Sequence, residues 1–159
     1  MISKFAQAKE SFPMTIREHP LAWRWTDPKH ALLPDHVLDQ MQPFSPQKAT
    51  ELFKHSCSFN GEDGLSTNLF DVRVISTASM SPTEGKAWLC SQQPHLASKV
   101  FLSWQRYTAI MTTWGIFADY WSEFCYGASD DLNVWPEDER WALLFHHEEE
   151  FHFGHRKQP

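Results

Sequence analysis

Eight tryptophans and twelve phenylalanines in 159 residues leave this chain few ways to fold. Each such ring buries about 150–250 Å², so most of them must fill a core. Any exposed remainder would form a stacking surface for a ligand or partner.

A chain of this length falls in the one-domain range and can bury enough surface to do without staples. One domain spanning 1–159 is the expectation. Residues 1–12 carry Lys4, Lys9 and Glu10 and lack the apolar run of a signal peptide, and no later segment offers the ~20 apolar residues of a membrane helix. A cytoplasmic protein with no membrane partner follows. Cys57, Cys90 and Cys125 are odd in number, far apart and without a Cys-x-x-Cys pair, so they read as reduced, mostly buried thiols. The net charge is -6, and Arg156-Lys157 is the largest basic cluster. Nucleic acid is therefore not an expected partner, because phosphate binding needs a concentrated basic face.

Patterning along the chain divides it into elements. Residues 21–26 alternate, which predicts a strand with Leu21, Trp23 and Trp25 on one face. Residues 34–41 carry Val37, Leu38 and Met41 at helical spacing, and Ser45-Pro46 is a helix cap followed by proline at the first helical position, predicting a helix over 46–57. Phe70, Val72 and Val74 alternate with Asp71 and Arg73 as in a half-buried strand. Ser81-Pro82-Thr83-Glu84 forms a capping box, with a helix to follow that ends before Pro94. Residues 99–104 and 109–111 read as neighbouring strands. Thr113 then caps a helix whose Trp114, Phe117, Ala118, Trp121 and Phe124 make one broad apolar stripe, with Gly127 as its C-cap. Residues 132–135 predict a strand, and 141–147 with 151–156 a hairpin closed by Glu148-Glu149-Glu150. In that register Phe145 faces Phe153 and His146 faces His152.

The segment Thr112-Thr113-Trp114-Gly115-Ile116-Phe117, followed by Trp121 and Phe124, resembles a small family of uncharacterised bacterial proteins, a domain of unknown function. The similarity extends to Ala22-Trp23, Leu33-Pro34, residues 41–43, residues 100–103 and Gly154-His155-Arg156, about half the chain. It implies kinship and a bacterial origin. No activity or catalytic residue comes with it.

Chemistry is sought at the C-terminal cluster. Imidazole and carboxylate are ligands that zinc and similar divalent metals prefer, and a cross-strand His146/His152 pair with His155 or Glu150 would bring several to one ion. The alternative is a charged, solubilising edge. His55 and Cys57 lie two apart on a helix and point in different directions, so they form no nucleophile and base pair. Asp130-Asp131 and Glu137-Asp138-Glu139 read as solvated loop charges. Trp23 and Trp25 with Arg24 between them suggest a core strand in preference to a stacking groove.

The fold expected is α+β: a mostly antiparallel sheet of about five or six strands with helices packed on one face. The leading function is a non-enzymatic protein- or ligand-binding module. A metal-dependent enzyme using His146, His152 and His155 is the rival, and a homodimer joined at a hairpin edge is a third possibility.

Overall fold

The computed structural model describes residues 14–158; the segment read above for a signal peptide lies outside them. After a short 3-10 turn at Ile16–Glu18 come α1 (Trp23–Thr26), β1 (Ala31–Leu32), α2 (Asp35–Leu38), β2 (Gln42–Pro43) and α3 (Pro46–Cys57). The middle holds β3 (Asn60–Gly61), β4 (Gly64–Leu65), β5 (Phe70–Ser76) and α4 (Pro82–Gln92). The chain closes with β6 (Lys99–Gln105), β7 (Thr108–Thr113), α5 (Trp114–Asp119), α6 (Trp121–Phe124), β8 (Leu132–Pro136), β9 (Trp141–His146) and β10 (Glu150–Arg156).

The class is α+β, and the main sheet is antiparallel throughout, with seven strands in the order β2-β7-β6-β8-β9-β10-β5. Because strand side chains alternate between faces, the apolar residues divide into two cores. Leu102, Val134, Leu143, Phe145, Phe151 and Phe153 face the side covered by α4, α5 and α6. Phe101, Trp135, Ala142 and Leu144 face the other side and meet Ala49 and Leu52 of α3 and Leu65 of β4. Helices thus cover both faces, where the sequence reading places them on one. Strands β6, β8 and β9 read as near-continuous apolar runs for that reason, since most of both faces is covered.

The helix ends explain where the tryptophans go. The last carbonyls of a helix lack intrahelical partners, and here three of the indoles supply them. Trp25 Nε1 donates to Glu123 O at 3.0 Å and Trp104 Nε1 to Phe124 O at 2.9 Å, both at the end of α6. Trp114 Nε1 donates to Gln93 O just past α4, and Trp121 Nε1 to Pro82 O at its start, each at 2.8 Å. These rings are buried without orphaning their N–H groups. Trp23 is the one large exposed indole, at 41%.

Five local readings are corrected. Residues 21–26 contain a helical turn, with Thr26 N–H donating to Ala22 O at 3.0 Å, so Trp23 and Trp25 diverge, the first to solvent and the second into the core. Between them Arg24 is buried and makes a bidentate pair with Asp130 at 2.6 and 3.0 Å, so Asp130 is no solvated loop charge. The Thr113-capped stripe is interrupted at Tyr120, whose φ of -122° and ψ of 25° divide it into α5 and α6 and turn Trp121 to within 5.1 Å of Phe151. The second helix ends at Cys125 and not at Gly127; Ala128 takes the left-handed conformation, with φ 68°. Of the thiols, Cys125 alone is buried, Cys90 is half-buried and Cys57 exposed.

Candidate functional site

Moving two residues along the strands changes the chemistry of the second face. Phe101 stands opposite Trp135, but the next row on that face runs Ser103, Asn133, Leu144 and His152 across β6, β8, β9 and β10. Ser103, Asn133 and His152 are all buried polar residues. One step further, at the strand ends, His146 stands opposite Glu150, and Asp131, immediately before β8, continues that row.

Ser103, Asn133, Leu144 and His146 of these rows floor an open groove of about 440 Å³. Its walls are the C-terminal end of α3 at Ser56 and Cys57, the β3-β4 hairpin, and the turn at Ser129 and Asp131 with His147. The hairpin reaches the sheet through glycine. Gly64 has φ 132°, and a Cβ there would lie 2.2 Å from Cε1 and Nδ1 of His152, so only glycine lets the backbone approach this closely.

Each polar group has a definable state. Asn60 and Asn133 exchange side-chain hydrogen bonds at 2.9 and 3.1 Å, tying the hairpin to the sheet. His152 Nδ1 accepts from Leu65 N–H at 3.4 Å, so its proton sits on Nε2 and is donated to Glu150 Oε1 at 3.1 Å. His147 places Nδ1 3.0 Å from Asp131 Oδ1, the same oxygen that accepts the His147 backbone N–H at 3.0 Å. The ring of His147 also stacks on His146, with centroids 4.2 Å apart. Ser103 differs from the others: its Oγ is buried and has no hydrogen-bond partner. A second recess, of about 340 Å³ beside β7, also holds a partnerless hydroxyl, Thr112, but its wall brings no imidazole.

The histidines named from sequence are only partly assembled. His146 and His152 do share a face, with ring centroids 5.4 Å apart, but their register differs. The loop is His147-Glu148-Glu149, so His146 opposes Glu150, His152 opposes Leu144, and Phe145 opposes Phe151. Glu149 takes φ 59° and donates its N–H to His146 O, the left-handed closing residue of a three-residue hairpin. His155 has odd parity with Phe153 and lies on the opposite face, 5.2 Å from that ring, so it is not brought to the cluster. Both nitrogens of His152 are engaged within the protein, which makes it the holder of Glu150. Asp131, His146 and His147 offer ligand atoms within 4.8 Å of one another, as do His146, Glu148 and Glu150.

His55 turns away from Cys57 and binds Glu139 at 2.7 Å. Sequence reasoning missed Ser103 and Asn133. The signal was present: each is a single polar residue inside an apolar strand run, Val100-Phe101-Leu102-Ser103-Trp104 and Leu132-Asn133-Val134-Trp135.

Comparison of the chain with protein-family models, with curated proteins and with solved structures gives no match in any of the three. Among the described residues, no helix is long and apolar enough to cross a membrane.

Proposed function

We propose that the protein is a small, cytoplasmic, non-enzymatic binding module whose groove on the second face takes a small polar ligand. The Ser103 hydroxyl carries this reading, being buried, on the groove face and without a partner. A buried hydroxyl left unbonded costs about 1–3 kcal/mol, so its presence at a position flanked by apolar neighbours serves something other than stability. The Asn60/Asn133 amide pair and the His147 ring offer donors and acceptors around it. Kinship with the bacterial family sharing the T-T-W-G-x-F helix start belongs to the same proposal.

A thermal-shift screen of polar metabolites tests it, because a ligand that binds only the native state must stabilise it. The expected binder raises the Tm of the wild type. Ser103→Ala loses most of that rise, yet when free it is more stable than the wild type by about 1 kcal/mol. A binder unaffected by Ser103→Ala, or a variant less stable when free, contradicts the reading.

One arrangement favours a second reading, a divalent cation at the groove rim. Asp131, His146 and His147 combine the imidazole and carboxylate groups that zinc takes, and a cation held there would have room for water as a further ligand and nucleophile. Calorimetric titration with zinc should give one site that His147→Ala removes and His155→Ala retains. Heats unchanged by His147→Ala would exclude it.

A further inference from the structure

The two edges of the sheet are unlike. At one end β2 is two residues long and contains Pro43, the kind of blunt edge that resists further pairing. At the other, β5 runs seven residues with its outer side unpaired by any other strand among the described residues, and Val74 is 53% exposed.

The direction of the free backbone groups follows from the neighbouring bonds. Thr77 N–H donates to Glu149 O, and Lys157 N–H donates to Leu69 O. Both pairs continue the register in which Ser76 opposes Glu150 and Phe70 opposes Arg156. Residues of odd number in β5 therefore direct their backbone groups toward β10, and Val72 and Val74 direct theirs outward, because hydrogen-bonded and non-hydrogen-bonded positions alternate along an antiparallel strand.

We propose that this edge pairs with the same edge of a second copy of the chain, antiparallel, about a two-fold axis through Val72. In that register Val72 opposes Val72, each donating its N–H to the other's carbonyl, and Val74 N–H reaches the carbonyl of Phe70 in the second copy. Asp71 of each chain then stands directly opposite Arg73 of the other, at a non-hydrogen-bonded position where side chains are closest. Neither charge has an ion-pair partner within the chain's described residues. The neighbouring registers are disfavoured: an axis through Arg73 sets arginine against arginine, and one through Asp71 sets aspartate against aspartate. The self-complementary interface is of the isologous kind that two-fold dimers use, and it buries the exposed Val74 beside Phe70.

Sedimentation equilibrium of the full chain tests this, with far-UV circular dichroism to confirm that each variant is folded. The wild type is expected to dimerise with a dissociation constant on the order of micromolar, as suits a small interface. Arg73→Asp and Asp71→Arg should each weaken dimerisation by at least about tenfold, since either creates two like-charge pairs by symmetry. The double swap Asp71→Arg/Arg73→Asp restores the opposite-charge pairs and should recover the wild-type constant. A wild type that stays monomeric at hundred-micromolar concentration overturns the proposal, as does a dimer indifferent to the single reversals or one that the double swap fails to restore.

Discussion

His19 is a buried group through which acid should act on stability. The ring is buried between Trp25 and Trp104, with centroids 6.1 and 6.4 Å away. Its Nδ1 accepts from Leu21 N–H, and its Nε2 has no partner. Burial, and then the positive charge of Arg24, lower its pKa from 6.5 to about 4. A histidine with a depressed folded pKa contributes stability that is complete above its unfolded value and is lost as pH falls toward the folded one. Between about pH 7 and pH 5 this group should cost about 2 kcal/mol of stability. Urea unfolding at the two pH values measures the loss, and His19→Gln should remove most of the difference. A slope equal in variant and wild type would assign the acid sensitivity elsewhere. Nothing in the sequence marks this residue: His19-Pro20 sits in a weakly patterned stretch, and its burial arises from rings distant along the chain.

The helix α4 inverts an ordinary expectation. Gly85 lies inside it, and replacing an interior helix glycine with alanine normally gains about 1 kcal/mol. Here a Cβ would stand 2.2 Å from Cε2 of Trp121, the ring that donates to Pro82 O in the same helix. Gly85→Ala should therefore destabilise the protein by about 2 kcal/mol, the cost of overpacking a rigid ring, and a chemical-denaturation midpoint shifted upward would contradict the packing described. Elements closed by local chemistry were legible: α3 and α4 begin at Ser45 and Ser81, whose hydroxyls accept from Lys48 and Glu84 N–H, and α5 begins at Thr113 in the same way. Elements decided by distant partners were not. The alternation in 21–26 imitates a strand, but Arg24 is held by Asp130 and Trp25 by Glu123, more than ninety residues away. The hairpin loop reads from sequence as Glu148-Glu149-Glu150, and Glu149 in the left-handed conformation closes it one residue earlier, as His147-Glu148-Glu149.

For the whole molecule, the aromatic load builds a sheet filled on both sides, and the polar groove is where the second filling stops. That boundary was half legible. Lone polar residues in apolar strands point to it, yet only the order β6-β8-β9-β10 sets Ser103, Asn133 and His152 in one row. His155 was drawn into the candidate cluster by proximity in sequence, and strand parity removes it. No residue of β5 lines the groove, so binding at the groove and pairing at the β5 edge can be read at separate residues. The measurement that bears most directly on the account is two-dimensional amide NMR of the labelled protein, titrated with the strongest binder from the metabolite screen. The account predicts shifts concentrated at Asn60, Ser103, Asn133 and His147, with the amides of Val72 and Val74 unmoved. Shifts centred on the opposite face or along β5, with the groove amides still, would contradict it.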